Sequence, residues 1–226
     1  GALVNGTNPR GQTPLMWAAS EKNAVAAKLL IERGAIVNAK TNPLPPPRKL
    51  DLIFSAPTPA GGMAAILSAA RQNDLASVKV LLDGGADVNL TSADGSTALL
   101  VAIINEHNEL AEYLLEHGAD ANLADDKGRA GLYVAIDMRD LEWSTRPAPP
   151  GKDKGDGLQL IRALLQRGAK PNGRLGERVP LRGEAACEGG WAVRMKRGGK
   201  EYWPVEVLFK NAGIQRDGMC TRMSAG

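Results

Sequence analysis

Gly34-Ala35-Ile36-Val37-Asn38, Gly85-Ala86-Asp87-Val88-Asn89 and Gly118-Ala119-Asp120-Ala121-Asn122 are three renderings of one phrase, Gly-Ala-x-Val/Ala-Asn, in a chain of 226 residues. Gly85 and Gly118 stand 33 positions apart, and so do Gly95 and Gly128, the glycines that open a second motif. That motif reads Gly11-x-Thr13-Pro14-Leu15-x-x-Ala18-Ala19 in the first unit and Gly95-x-Thr97-Ala98-Leu99-x-x-Ala102-Ile103 in the third. The step from motif glycine to phrase glycine is 23 positions in three units, from Gly11 to Gly34, Gly62 to Gly85 and Gly95 to Gly118. Two motifs that keep one register at this period mark an array of stacked helix pairs.

The residue types follow from the physics of such a pair. Thr13 is suited to accept from the orphan amides of a first helical turn, and Pro14 to the first helical position, where its missing N–H would have gone unpaired. A first helix is therefore predicted from Pro14, with small Ala18 and Ala19 allowing neighbouring units to approach closely. A second helix is predicted from about Val25. Its residues Ala27, Leu30 and Ile31 match Val78, Leu81 and Leu82, then Ala111, Leu114 and Leu115, an amphipathic stripe. Gly34, Gly85, Gly118 and Gly168 fall just past this helix, where a left-handed residue closes it. The Asn four residues later is assigned to the turn. Helices this short are marginal alone, so stacking of neighbours must supply the stability. These residues resemble the ankyrin-repeat family. The resemblance implies an all-α solenoid of about four stacked helix-turn-helix units with β-turn or hairpin tips, followed by an irregular C-terminal tail.

The resemblance covers residues 1–173, with repeats at 6–38, 62–89, 90–122 and 123–172. Residues 1–5 read as the end of a truncated repeat, so the chain is expected to be a fragment of a longer array, with its localisation left open. Two insertions, 39–61 and 140–157, break the period. The first opens Asn42-Pro43-Leu44-Pro45-Pro46-Pro47, a stiff extended composition, and then carries Leu52, Ile53 and Phe54 where a surface loop should be polar. Two readings stand: these residues cover the flank of the array, or they form a partner-binding finger. Trp143 in the second insertion is either a local packing anchor or a contact residue. Residues 174–226 lose the motif glycine. Because Val205-Glu206-Val207-Leu208-Phe209 still resembles a second helix, this segment is an irregular tail or a degenerate capping repeat. The cap positions erode along the chain, from Thr13-Pro14 through Ala64-Ala65 and Thr97-Ala98 to Ala130-Gly131, and the fourth repeat is predicted to be the least stable.

Composition bounds the function. Hydrophobic residues make up 43% and aromatics 4%, which suits Ala/Leu helix packing. The net charge of +3 is too small to indicate nucleic acid by itself. The excess sits after Gly173, where 10 Lys and Arg face 6 Asp and Glu, against 18 and 19 up to it. A nucleic-acid role for that tail ranks last, since Trp191, Tyr202 and Trp203 lack a recognisable stacking motif. Cys187 and Cys220 are the only cysteines, with no spacing for zinc. No apolar run approaches the length of a membrane span. Of the two histidines, His107 takes a structural place between helices and His117 the last turn of one, where its charge would suit the helix end. Asp137, Asp140 and Glu142 read as solvated charge beside a loop. Asn5-Gly6-Thr7 and Asn89-Leu90-Thr91 are glycosylation sequons whose Asn the repeat already uses. No nucleophile motif or phosphate loop occurs, so no catalytic residue, metal or cofactor is expected.

Ankyrin arrays bind partners along a concave surface made of turn tips and first helices, and the resemblance implies the same here. The positions it carries over are Arg10, Gln12, Ser20 and Glu21; Met63, Arg71 and Gln72; Asp94, Ser96, Ile104 and Asn105; and Lys127, Arg129, Asp137 and Met138. Trp17, one step after Met16, is added because its side chain can look into that surface, and Ile104, Met138 and Trp17 together are expected to form an exposed apolar stripe with a polar rim. The function implied is a non-catalytic, monomeric scaffold that binds a protein or peptide, with neither a small-molecule substrate nor nucleic acid expected. The alternative is a targeting module of a larger enzyme whose catalytic domain lies elsewhere.

Overall fold

The computed structural model describes residues 3–44, 59–139, 157–172, 195–197 and 200–202. Among the described residues eight helices form four contacting pairs in chain order. They are α1 (Pro14–Ser20) with α2 (Ala24–Glu32), α3 (Ala65–Arg71) with α4 (Leu75–Asp83), α5 (Ala98–Ile104) with α6 (Asn108–Glu116), and α7 (Gly131–Arg139) with α8 (Gly157–Gln166). First helices pack in a row, α1 on α3, α3 on α5 and α5 on α7, and second helices pack α2 on α4 and α6 on α8. The fold is an all-α repeat solenoid.

Local chemistry sets the helix starts. The Met16 amide donates to Thr13 Oγ1 at 3.3 Å and the Leu100 amide to Thr97 Oγ1 at 3.2 Å, whereas α3 begins at Ala64 with no side-chain cap. Second helices are capped by Asn23, whose Oδ1 accepts from the Ala26 amide at 2.9 Å, and by Asp74, which accepts from the Ser77 amide at 3.2 Å. They close as expected. Gly34, Gly85, Gly118 and Gly168 have φ of 85°, 86°, 91° and 84°, a region that costs glycine little. Leu15, Leu67, Leu81, Leu99, Leu110, Leu114 and Leu160 are fully buried between the rows, and Ala19, Ala69, Ala70 and Ala102 provide the close approach.

The Asn of the repeated phrase does more than turn the chain. Asn5 Nδ2 donates to Gly34 O at 3.0 Å while its Oδ1 accepts from the Ile36 amide at 2.8 Å. Asn38 repeats this toward Gly85 O (3.1 Å) and Asp87 N (2.9 Å), and Asn89 toward Gly118 O (3.3 Å) and Asp120 N (2.8 Å). Asn122 makes the last rung, to Gly168 O at 3.1 Å and Lys170 N at 2.8 Å. Each Asn therefore lies in the turn, as expected, and in addition ties its own repeat to the next one.

The tips are linked as well. The Asn42 amide donates to Arg10 O at 2.9 Å, Ala93 to Gly61 O at 3.0 Å and Asp126 to Asp94 O at 2.8 Å. The first insertion leaves from such a tip and returns to it, because Leu44 and Ala60 form an antiparallel bridge through Leu44 N and Ala60 O at 2.8 Å. Beyond the helices, β1 (Met195–Arg197) and β2 (Lys200–Tyr202) form an antiparallel hairpin with Lys196 opposite Glu201. Helical periodicity gives no hint of this pair, which adds a strand element to the expected irregular tail. Leu52, Ile53, Phe54, Trp143, Cys187, Cys220 and the 205–213 segment lie outside the described residues.

Candidate binding surface

Turn tips and first helices lie along one side of the array, and the residues expected to contact a partner divide there by what they already bind. At the third tip, Asp94 accepts from the Ser92 hydroxyl, from the Ser96 hydroxyl at 3.0 Å and from the Ser96 amide at 3.2 Å. Burial pushes its carboxyl upward, yet the hydrogen bonds from Ser92 and Ser96 win and hold it below the usual carboxylate range. Ser96 is itself buried. At the fourth tip, Arg129 grips Asp125 at 2.6 Å while the Lys127 and Arg129 amides donate to Asp125 Oδ1 at 3.0 and 2.8 Å. Neighbouring Asp126 is raised, first by burial and then by the charge of Asp125. Gln12 is engaged with Asn8, whose Nδ2 donates to its Oε1 at 2.7 Å, and Asn105 Nδ2 donates to Val101 O at 2.7 Å.

Arg10, Arg71, Gln72 and Glu21 are exposed, and Ser20 and Lys127 half-buried. Met63, Ile104 and Met138 are half-buried and packed against the core, and Asp137 is half-buried. The expected stripe of exposed Ile104, Met138 and Trp17 therefore reduces to Trp17, which is 52% exposed on α1. Its counterparts by register are Ser68 and Val101, both half-buried, and Val134, only 3% exposed. At this register position exposure falls from the first repeat to the fourth. Ser68, one turn before Arg71 on α3, was absent from the sequence-based set; the 51-position offset from Trp17 to Ser68 is the signal that finds it.

The remaining polar chemistry belongs to the framework. His107 is 1% exposed, with Nδ1 3.1 Å from Ala70 O in the preceding repeat, so its ring N–H donates to that carbonyl. His117 donates from Nδ1 to Tyr113 O at 2.8 Å and stacks on the Tyr113 ring at 3.9 Å between centroids. The Tyr113 hydroxyl is pushed up, by burial first and then by Asp83 and Glu116. Among the described residues no group of three or more His, Cys, Asp or Glu could hold a metal, and no helix is long and apolar enough to cross a membrane.

Comparison with family models places one ankyrin repeat at residues 10–42 and ankyrin repeats in three copies at residues 66–143. Comparison with curated proteins gives no match. The matched segments hold α1 to α7, and the α7–α8 pair continues the same stacking beyond the last matched residue.

Proposed function

We propose, from the ankyrin repeats that this chain carries, that it is a non-catalytic scaffold which takes a protein or peptide partner on the surface formed by its turn tips and first helices. Ankyrin repeats are generally protein–protein interaction modules. The observation that carries the reading is Trp17, a large aromatic side chain 52% exposed in the row of first helices, beside exposed Arg10, Arg71 and Gln72. A half-exposed aromatic with a polar rim is the composition from which binding hot spots are made. Asp94 and Asp125 are held within their own tips, and both histidines are bonded to backbone carbonyls.

Selection of a random peptide library on the full chain tests this. Binders should lose affinity for Trp17→Ala and Arg71→Glu and keep it for Lys28→Glu, an exposed position on α2. Binders that respond only to the α2 change would overturn the proposal.

A further inference from the structure

We infer that the partner of this surface is an acidic peptide segment with an apolar anchor residue, seated on the first two repeats so that the anchor packs on Trp17 and its carboxylates meet Arg71 and Arg10. The inference rests on the reading of the surface given above and adds the chemistry of its occupant.

Three observations converge. Trp17 and Ser20 share one face of α1, and Ser68 and Arg71 occupy the matching register positions on α3, which packs directly against α1. The indole and the guanidinium thus sit on adjacent helices, both exposed. Charge on this side is already sorted. The acids farther along are hydrogen-bonded inside their tips, Asp94 by Ser92 and Ser96 and Asp125 by Arg129, whereas Arg10 and Arg71 have no carboxylate partner among the described residues. The exposed acids among the described residues at this end are Glu21, at the far end of α1 next to Lys22, and Glu32, on α2 rather than in the row of first helices.

Third, charge is uneven along the array, basic over the first repeats, acidic over the middle and basic again at Arg162, Arg167 and Lys170. Residues 1–74 carry 8 Lys and Arg against 4 Asp and Glu, and residues 75–137 carry 3 against 11. An acidic segment is drawn to the end where Trp17 lies and repelled from the third repeat, which fixes its position along the surface as well as its sign. A basic segment would be drawn to the opposite place, where the register positions Val101 and Val134 offer less exposed apolar area.

Three labelled peptides and the full chain test this by fluorescence anisotropy: glutamates flanking a central Leu-Phe pair, the same peptide with Lys for Glu, and the glutamate peptide with Ala-Ala at its centre. The Glu peptide with Leu-Phe should bind at least about tenfold more tightly than either of the others. Trp17→Ala should weaken it by about tenfold or more and Arg71→Glu by several-fold, with affinity falling as salt rises, while Lys28→Glu costs distinctly less than Arg71→Glu. Both substituted side chains are exposed, so folding is retained, which far-UV circular dichroism checks. Equal or tighter binding of the Lys peptide, no binding of the Glu peptide, or equal losses from Lys28→Glu and Arg71→Glu would overturn the inference. Failure here is separable from failure of the surface itself. Library binders that are neutral or basic yet respond to Trp17→Ala refute the acidic partner alone, and binders that map to the second helices refute the surface.

Discussion

Asn89 holds two repeats together with a single side chain, its Nδ2 on Gly118 O at 3.3 Å and its Oδ1 on Asp120 N at 2.8 Å. Both partners are backbone groups at a helix end, where intrahelical partners run out. Asn89→Ala should therefore cost about 1–3 kcal/mol in urea unfolding, and Asn89→Asp a comparable amount, because a carboxylate cannot donate to the Gly118 carbonyl. Ser77 is the opposite case. Its hydroxyl is fully buried and has no partner, at a register position that Leu110 and Leu160 fill with apolar side chains. Ser77→Ala should leave stability unchanged or raise it by up to about 1 kcal/mol; a clear loss would show that the hydroxyl is bonded. At Asp94, hydrogen bonds from Ser92 and Ser96 keep the carboxyl below its ordinary range despite burial. A depressed acid stabilises the folded state above its unfolded pKa and loses that contribution as pH falls through the folded value. Asp94→Asn should then be less stable than the parent at neutral pH, and the two should converge in acid; a gap that persists at low pH would contradict this assignment.

The helices show how far each signal in the sequence reached. Pro14 does start α1, and Thr13 and Thr97 cap as expected, because an N-cap depends on residues within one turn. Helix closure at Gly34, Gly85, Gly118 and Gly168 was equally local and equally legible. What reached between repeats was not. The bridging Asn rungs and the bond from His107 to Ala70 O span 29 to 49 positions, and no local pattern encodes a partner at that distance. The binding surface suffered in the same way: family positions pointed to Asp94, Ser96 and Arg129, but whether a tip residue is free depends on neighbours that satisfy it first. Exposure of Ile104 and Met138 was misjudged because packing of the next helix row decides it. One element supplies a direct test. α3 alone among the first three first helices lacks a side-chain cap, since Ala64 stands where Thr13 and Thr97 cap their helices, and all three positions are buried in like surroundings. Ala64→Thr should add about 0.5–2 kcal/mol to thermal or urea stability, and a loss would mean that the α3 position cannot seat the methyl and hydroxyl.

In a linear array each repeat is stabilised by its own helices and by the interfaces to its neighbours, so local stability need not be uniform. The fourth pair has the weakest start. Gly131 opens α7 where a better helix former would gain about 1 kcal/mol, yet a Cβ there would meet Leu164 Cδ2 at 3.2 Å and Ala121 O at 3.4 Å, so close approach to α8 holds the glycine in place. From Gly128 to Gly168 the repeat also runs 40 positions instead of 23, though lengthening a loop adds only about 0.6 kcal/mol per doubling. The larger disadvantage is the glycine start together with the missing Thr cap at Ala130. By contrast, α5 has a Thr97 cap and first helices packed on both sides, α3 and α7, and α6 packs on α5 and α8. Native-state hydrogen exchange should therefore show amides of 131–139 and 157–166 opening at lower free energy than those of 98–104 and 108–116, with the rung from Asn122 to Gly168 and Lys170 lost along with them. Slower exchange in the fourth pair would mean that burial of Leu132, Tyr133, Val134 and Ile136 outweighs the poor helix start, and that stability in this array is decided by packing rather than by caps.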